Sequence, residues 1–329
     1  MDFTIAICTQ GRNDLLPGAL ESIAAAGGRS SAWQVVLIDN NPDASAAAIA
    51  AAFKERLPLD YEHEPQPGLS IARNRAVKMA KGRWIIWSDD DARIAPNLIT
   101  TYVRGFEKWP TAAFFGGAVH PVFESPSPPW FEAIKDLVLH LYGQISTGPD
   151  GLPISDPLGP LPFGGNCAIA ASAQRRFPFD VKRGLQPGRF IIRGEESDVF
   201  RRMIRAGMTG VWLPSARADH WIPLSRQTTA RLRRCQMGQG WAYGQGWGGA
   251  YERDLAKRNV HRPVPTLARE ALAKELRYLW LRAQGDERRW LPALLKAAFA
   301  SGVLAGRLAP AAARTAEPRS IANAGTTPS

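Results

Sequence analysis

Cysteine is scarce in this chain of 329 residues, and the three cysteines that are present lie far apart. Cys8, Cys167 and Cys235 form no CxxC pair, and three cysteines cannot pair completely. The pattern argues against a disulfide framework and a zinc knuckle and favours a reducing compartment. The N-terminus also lacks the basic region, apolar stretch and small-residue cleavage site of a secretory signal. We therefore expect a cytoplasmic protein.

Acidic residues are depleted only in the C-terminal third. Residues 1–225 hold 23 Lys and Arg against 23 Asp and Glu, whereas residues 226–329 hold 18 against 7. The net charge of +11 therefore belongs wholly to the C-terminal region. Such a region can bind nucleic acid or an anionic membrane surface, or it can be a solvated helical face without a partner.

Internal repeats and low-complexity segments are absent, and strand-like segments alternate with helical ones. FTIAICT (3–9), WQVVLIDN (33–40), LDYEHE (59–64) and RWIIWSD (83–89) read as strands. This alternation predicts an α/β fold with a mainly parallel sheet and helices on both faces. We expect one catalytic domain over residues 1–225, followed by a basic helical extension over 226–329 that ends in a disordered tail.

Three consecutive aspartates follow the strand in WIIWSDDDARI (84–94). Adjacent carboxylates repel one another by about 1 kcal/mol in water and more in a protein, so the arrangement suggests a bound cation. Ligands of parallel sheets bind beyond the carboxyl ends of the strands, where these residues and Asp39 fall. In an extended backbone Asp89 and Asp91 would share one side and Asp90 the other. The alternative is an acidic turn that stabilises the next helix.

Six blocks of the sequence resemble glycosyltransferase family 2, whose members are inverting enzymes with the GT-A fold. The blocks, in the family's order, are ICTQGR, VVLIDNN, PGLSIARNRA, WSDDDA, FGGNCAIA and GEESDVFRRMIRAG. The resemblance covers about residues 3–245. It implies transfer of a sugar from a nucleotide-diphosphate sugar, with a UDP-sugar as the expected donor, to an acceptor hydroxyl. The expected acceptor is a glycan, a polysaccharide or a lipid-linked precursor.

The resemblance also implies roles for individual residues. A divalent metal, Mn²⁺ or Mg²⁺, is expected on Asp91 and Asp89, with His220 as a third ligand or a purely structural residue. The general base is expected at Glu196, with Glu195 and Asp198 as rivals, although acids in the first turn of a helix also stabilise its dipole. The nucleotide sugar is expected to contact Thr9, Arg12, Asp39, Arg73, Asn74, Asp89, Asp90, Gly165 and Asn166.

Two other functional classes remain open from the residues alone. A nucleotidyltransferase could use a carboxylate-bound metal, but ICTQGR is a poor glycine-rich phosphate loop. A non-catalytic protein that binds sugar or nucleic acid would explain the basic third but not carboxylates at two strand ends. The resemblance favours the transferase, for which we expect no nucleic-acid partner.

The C-terminal region has two helical patterns. Leu267, Leu272, Leu276 and Leu279 are predicted to lie largely on one helix face. Residues 290–309 are apolar over nearly the length of a bilayer, although Lys296 and the basic flanks suit a helix lying in the membrane interface better. The sequence thus favours a cytoplasmic protein peripheral to the inner membrane face, with packing on the catalytic domain as the alternative.

Overall fold

The computed structural model describes residues 1–27, 32–182, 194–245 and 262–309. The tail predicted to be disordered lies outside the described residues. The strands are β1 (Phe3–Thr9), β2 (Trp33–Asp39), β3 (Leu59–His63), β4 (Trp84–Asp89), β5 (Ala92–Ile94), β6 (Phe114–Phe123), β7 (Pro153–Ile154), β8 (Asn166–Ala170) and β9 (Gly210–Ile222). The helices are α1 (Leu16–Ala26), α2 (Ala47–Phe53), α3 (Leu69–Met79), α4 (Leu98–Lys108), α5 (Pro129–Glu132), α6 (Lys135–Val138), α7 (Ala171–Arg176), α8 (Glu195–Arg205), α9 (Thr229–Gly244), α10 (Val264–Ala283) and α11 (Glu287–Leu308). Short 3₁₀ turns cover Leu139–Tyr142 and Leu224–Arg226.

One sheet runs through the molecule in the order β3, β2, β1, β4, β8, β6, β9, β5, with β7 beside β9. Strands β3, β2, β1 and β4 are parallel. Thr9 is paired with Asp39 and Cys8 with Asp89, so three strands end at one edge. The α/β prediction is confirmed, and the expected strand ends do meet there.

The other half of the sheet is more mixed than the sequence suggested. β8 is antiparallel to both β4 and β6, while β6 and β9 are parallel. A parallel neighbour for β4 would require a crossover that returns the chain to the opposite edge. The order of strands and helices along the sequence does not indicate strand direction. The antiparallel direction of β8 is therefore visible only in the tertiary structure.

Both faces of the sheet are buried, which explains the continuous apolar strands. In β1, Phe3, Ile5 and Ile7 enter one core, and Ala6 enters the other. Such burial on two sides is typical of parallel strands covered by helices. Helix α8 packs Val199, among others, into the second core, and this contact holds the acidic start of α8 against the sheet.

The start of α3 depends on a glycine. Helix α3 begins at Leu69 with Gly68 as its N-cap and without a side-chain cap. Gly68 has φ 141°, a conformation that side chains rarely adopt, and its N–H donates to the Asn40 side-chain oxygen at 2.9 Å. The turn is therefore held by Asn40 from the neighbouring strand end.

Helices α9 and α11 cross at close range through glycines. A Cβ on Gly240 would lie 2.1 Å from the Phe299 carbonyl oxygen, and one on Gly302 would lie 2.2 Å from that of Met237. Helix α11 is the one described helix whose length and composition would permit a membrane crossing, and half of its apolar window is buried in the molecule. Packing on the rest of the chain therefore accounts for much of its apolar character.

The C-terminal helices share a core with the segment that carries α5 and α6. Phe131, Leu141 and Tyr142 pack in one cluster with Leu232 of α9 and Leu291 of α11. The catalytic domain expected over residues 1–225 and the extension therefore meet through a common apolar cluster.

Candidate active site

A polar pocket lies at the edge where β1 and β4 end. Ten of the fourteen residues predicted to form the site line it: Thr9, Arg12, Arg73, Asp89, Asp90, Asp91, Gly165, Glu195, Glu196 and His220. The remaining lining residues are Cys8, Gln10, Asn40, Leu69, Ala72, Phe163, Gly164, Arg226 and Arg231. The pocket thus places four arginines against five carboxylates, which is a setting for an anionic ligand together with a cation.

The first charged group in the pocket surrounds Asp91, whose side chain is 1% exposed. Its Oδ2 accepts hydrogen bonds from Arg12 at 2.8 Å and from Arg226 at 2.5 Å. Burial alone would raise the pKa of Asp91, but Arg12, His220 and Arg226 hold it well below its usual range. These neighbours therefore stabilise the ionised form of the carboxylate. We call Arg12, Asp90, Asp91, His220 and Arg226 the Asp91 cluster.

The expected alternation of the three aspartates is wrong. The chain turns at residues 90–91, between β4 and β5, so that Arg12 contacts both Asp90 at 2.7 Å and Asp91 at 2.8 Å. Asp90 also accepts a hydrogen bond from the Thr9 hydroxyl at 2.8 Å. Burial raises the pKa of Asp90 to about 6, against the lowering effect of Arg12. Asp90 thus anchors the loop after β1, while Asp89 points into the pocket with 29% of its side chain exposed.

His220 faces Asp91 with a defined ring orientation. Its Nδ1 lies 2.6 Å from the Tyr142 carbonyl oxygen, which can only accept, so Nδ1 carries the proton. Nε2 faces Asp91 Oδ2, 3.3 Å away, and can donate to this carboxylate when it carries a proton or present a lone pair when it does not. Only the form with an unprotonated Nε2 could act, with Asp91, as a ligand of a cation.

The donor set of this cluster fits a divalent cation in part. Asp91 Oδ1 is buried without a hydrogen-bond partner, and His220 Nε2 is available beside the same carboxylate. Within the described ranges, no three His, Cys, Asp or Glu side chains converge on one metal position. Proteins commonly hold Mg²⁺ with one or two carboxylates, while substrate phosphates and waters complete its coordination. Asp91 and His220, with Asp89 in the same pocket, suit that kind of shared site.

The second charged group is built on Arg73, whose side chain is 6% exposed. Its guanidinium bonds Glu195 at 2.7 Å and lies 3.6 Å from Asp89 and 3.8 Å from Glu196. Burial lowers the pKa of Arg73, but these carboxylates raise it overall. Arg73 therefore stays charged and joins the start of α8 to the end of β4. We call Arg73, Asp89, Glu195 and Glu196 the Arg73 cluster.

Two glycines leave room for this second group. A Cβ on Gly164 would lie 2.6 Å from an Arg73 guanidinium nitrogen, and one on Gly165 would lie 2.6 Å from Asp89 Oδ2. Any side chain there would displace a charged group from the pocket. The FGG sequence before β8 is therefore required by the packing of the site itself.

The three candidate bases have different surroundings. Glu195 is bound to Arg73, and Asp198 accepts from Arg202 at 2.8 Å and does not line the pocket. Glu196 lines the pocket, and burial, together with the Glu195 charge and against that of Arg73, raises its pKa to about 7. A carboxylate of that pKa can hold and release a proton near neutral pH. Glu196 is thus the most suitable proton acceptor of the three.

Three other expected contact residues lie outside the pocket lining. Asp39 is fully buried and accepts from the Asn41 side chain, the Ala46 backbone N–H and the Tyr61 hydroxyl. Asn74 exchanges two hydrogen bonds with the Phe179 backbone. These bonds fix the loop after β2 and the segment after α7. Their expected contacts with the nucleotide stay predictions.

Asn166 is the third residue outside the lining. Its amide donates to the carbonyls of Ala118 and Ala216, and its oxygen accepts from the Tyr102 hydroxyl. The bonds hold β6 to β9 where their register shifts after Gly117. The role shown by these contacts is to stabilise the sheet behind the site.

Sequence reasoning overlooked some groups that complete the pocket. Asn40 lines it and positions the turn before α3, and its only signal was the turn-forming sequence NNPD. Arg231 also lines it, from the first turn of α9. The Tyr142 carbonyl orients His220 from 78 residues away, and no local pattern could have indicated that contact.

Comparison with known proteins finds relatives of one class. Residues 4–152 match the description of glycosyl transferase family 2. The chain is 26% identical over 252 residues to the succinoglycan biosynthesis protein ExoM of Rhizobium meliloti (strain 1021), which covers 73% of this chain and 74% of that protein. These matches confirm the resemblance drawn from the six sequence blocks.

Solved structures share the same architecture. The mannosyltransferase PcManGT from Pyrobaculum calidifontis, in complex with GDP-Man and Mn²⁺, matches with a TM-score of 0.57 at 17% identity over 91% of this chain and 86% of that one. S. aureus TarS 1–349 matches with a TM-score of 0.53 at 12% identity over 93% and 90%. GalNAc-T7 with UDP, GalNAc and Mn²⁺ matches with a TM-score of 0.51 at 18% identity over 74% of this chain. This chain spans 50% of that GalNAc-T7 chain and 39% of a longer TarS chain. At such identities these structures establish the GT-A fold alone.

Proposed function

We propose a specific reaction for this chain, which is a glycosyltransferase carrying a family 2 domain over residues 4–152. The reaction is inverting transfer of a sugar from a nucleotide-diphosphate sugar to an acceptor hydroxyl, with a divalent metal and a carboxylate base. The observation that supports it most is the pocket that unites the Asp91 cluster with Glu196. The residues proposed to bind the cation and the diphosphate thus line the same cavity as the residue proposed to accept the proton.

Asp91 and His220 would hold a divalent metal, Mn²⁺ or Mg²⁺, with Asp89 directed to the same pocket. Bound there, the metal would act as a Lewis acid that neutralises the departing diphosphate. Arg12 and Arg226 contact the same carboxylate and supply fixed positive charge in a largely buried site. Preorganised charge of this kind stabilises a leaving group more strongly than water does.

Glu196 would take the proton of the attacking acceptor hydroxyl. Removal of that proton is needed as the hydroxyl oxygen attacks the anomeric carbon on the face opposite the leaving group. The raised pKa of Glu196, about 7, makes the carboxylate a stronger base than an ordinary glutamate. Arg73 balances the neighbouring Glu195 and keeps the two acids at fixed positions.

The donor is proposed to be a UDP-sugar and the acceptor a glycan of a polysaccharide or of its lipid-linked precursor. PcManGT is described with GDP-Man, and TarS and GalNAc-T7 with UDP, so structures of this fold hold nucleotides of both kinds. The acceptor class is supported by the role of ExoM in succinoglycan biosynthesis. We place the enzyme in the cytoplasm, peripheral to the inner membrane face.

The test is incubation of the full chain with single nucleotide sugars and Mn²⁺, followed by chromatography of the nucleotide products. We expect slow release of a nucleoside diphosphate with one donor, because water replaces the missing acceptor. Release of a nucleoside monophosphate or of pyrophosphate would instead indicate nucleotidyl transfer. Failure of every nucleotide sugar both to react and to raise the unfolding temperature would contradict the proposal.

A further inference from the structure

Helix α10 carries apolar side chains on two opposite faces. Tyr278 and Leu281 are buried against α11. On the other face, Leu272, Leu276, Leu279 and Trp280 are 60%, 57%, 54% and 60% exposed. The expected single leucine face is therefore wrong, because Leu267 is buried while the later leucines are exposed. We call the four exposed residues the outer face of α10.

The outer face is one continuous apolar stripe. At about 100° per residue, its four residues fall within an arc of roughly 100°. Single exposed leucines are ordinary, but a contiguous row of three leucines and a tryptophan on a soluble surface usually marks an interaction site. Trp280 adds a ring that combines apolar area with a polar N–H, which suits a boundary between water and lipid.

Arginines lie beside the stripe, and the acidic residues of the same helix are held in ion pairs. Arg269 and Arg277 are exposed and have no ion-pair partner among the described residues. The acidic residues of α10 form ion pairs: Glu270 pairs with Lys274 and Arg262, and Glu275 pairs with Arg233. Arg288 and Arg289, at the start of α11, are exposed beside the exposed acids Asp286 and Glu287, so this end of the surface is close to neutral. The surface is thus apolar at its centre and cationic along the part of its rim that carries Arg269 and Arg277.

We propose that the outer face of α10 docks onto an anionic lipid membrane, with the helix lying at the level of the headgroups. An amphipathic helix with a leucine and tryptophan face and basic flanks binds such an interface by burying apolar area and by attraction to anionic lipid. A second copy of the chain fits less well, since pairing two outer faces would bring Arg269 and Arg277 near their own copies. The site differs from the apolar stretch of α11, half of which is already buried.

This inference rests on the proposed function only in that a membrane location suits a lipid-linked acceptor. The docking surface is separate from the catalytic pocket, so vesicle binding and transfer can be measured independently. A chain that binds vesicles but has no transferase activity would contradict the proposed function alone. An active chain that ignores vesicles would contradict the docking site alone.

The experiment is flotation of the full chain with vesicles of phosphatidylcholine alone and with vesicles that also contain phosphatidylglycerol. We expect binding to the anionic vesicles that weakens at high salt. The double variant Leu272→Gln/Leu276→Gln should lower the partition coefficient at least about tenfold. Arg269→Gln/Arg277→Gln should lower it by about fivefold per residue, because each basic residue contributes about 1 kcal/mol.

The matched control is Leu137→Gln/Leu152→Gln, which changes two exposed leucines elsewhere, 48% and 41% exposed. This variant should bind vesicles as the unaltered chain does, and all variants should keep their unfolding temperature and their nucleotide-sugar hydrolysis. Equal loss in the control, binding that does not depend on phosphatidylglycerol, or no binding at all would overturn the proposal. The proposal would also be overturned if the chain did not bind vesicles but formed a dimer, and the Leu276→Gln variant were a monomer.

Discussion

At the level of single residues, contacts within the Arg73 cluster give Glu195 and Glu196 different surroundings, although the sequence left both as candidate bases. Glu195 and Glu196 are neighbours on α8, yet Arg73 lies 2.7 Å from the first and 3.8 Å from the second. The closer ion pair leaves Glu195 a carboxylate with a fixed partner. The negative charge of Glu196 is balanced less closely by Arg73, although its carboxyl group is buried in the same region. Burial without a close positive partner raises the pKa of a carboxyl group.

Glu196→Gln should keep donor binding and lose transfer. An amide of nearly the same shape cannot accept the acceptor proton, so the turnover rate should fall by about 10²–10⁴. Initial rates and thermal-shift titrations with the donor would measure the two effects. Asp198→Asn is the matched control, because Asp198 does not line the pocket, and it should change the rate only a few-fold. Transfer that survives Glu196→Gln would refute the assignment of the base.

The raised pKa of Glu196 also predicts a pH-dependent stability. Its folded pKa, about 7, lies above the ordinary value of 4.5, so the folded chain holds this proton more tightly than the unfolded chain. The associated stability is fully present below about pH 4.5 and is lost as pH rises through about 7. Glu196→Gln removes that loss and should stabilise the chain by up to roughly 3 kcal/mol at about pH 8 but little at about pH 5. Urea unfolding at both pH values would measure it, and an equal effect at both would contradict the environment described for Glu196.

Arg226 and a metal ion should compete for Asp91. Arg226 bonds Oδ2 of this carboxylate and repels a cation on it, so Arg226→Gln should tighten Mn²⁺ binding in the absence of nucleotide by about tenfold. Asp91→Ala should abolish the metal-dependent binding of nucleotide. Calorimetry or Mn²⁺ paramagnetic resonance would report both. Arg217→Gln serves as the control, since Arg217 pairs with Asp219 on an exposed strand surface, and it should leave the affinity unchanged.

At the scale of elements, the glycine contacts between α9 and α11 set how closely these helices approach. Gly302→Ala places a Cβ 2.2 Å from the Met237 carbonyl oxygen, which is a rigid backbone atom. Although alanine favours helix formation by about 1 kcal/mol, overpacking should lower stability by about 1–3 kcal/mol. Gly18→Ala in α1 is the control, since its Cβ would meet only the flexible Arg93 side chain at 3.1 Å. Urea unfolding would measure the free energy of unfolding of both variants. Equal values for Gly302→Ala and Gly18→Ala would refute the close crossing of the two helices.

At the scale of the whole molecule, the C-terminal helices support the active site through the shared apolar cluster. Leu291 and Leu295 of α11 pack with Leu141 and Tyr142. The carbonyl of Tyr142 in turn orients His220 in the pocket. The basic extension therefore has a structural role in addition to its charge.

A chain ending at residue 245 should lose this support. We expect faster proteolysis within residues 129–142 and weaker Mn²⁺ binding, because the cluster and the His220 contact both loosen. Limited proteolysis and calorimetry would measure these effects. A chain ending at residue 309 is the control and should behave as the full chain. If the chain ending at residue 245 resists proteolysis equally well, the C-terminal helices are independent of the site.

The sequence by itself determined the features that depend on neighbouring residues. Continuous apolar runs identified β1, β2 and β4, because strands covered on both faces bury nearly every side chain. Asp89, Asp90 and Asp91 lay at a strand end, which placed them at the edge of the sheet where the pocket lies. These properties depend on residues that are close together in the sequence, so they can be predicted from the sequence.

Only the tertiary structure decided which groups meet. Arg73 reaches Glu195 across 122 residues, and Arg226 reaches Asp91 across 135. Those contacts distinguish the surroundings of Glu195 from those of Glu196 and draw Asp91 away from the expected alternation of the aspartates. Other tertiary contacts hold Asp39, Asn74 and Asn166 in structural hydrogen bonds. The charge state and exposure of a side chain depend on its neighbours in space, and the folding of the sheet brings those neighbours together from distant parts of the chain.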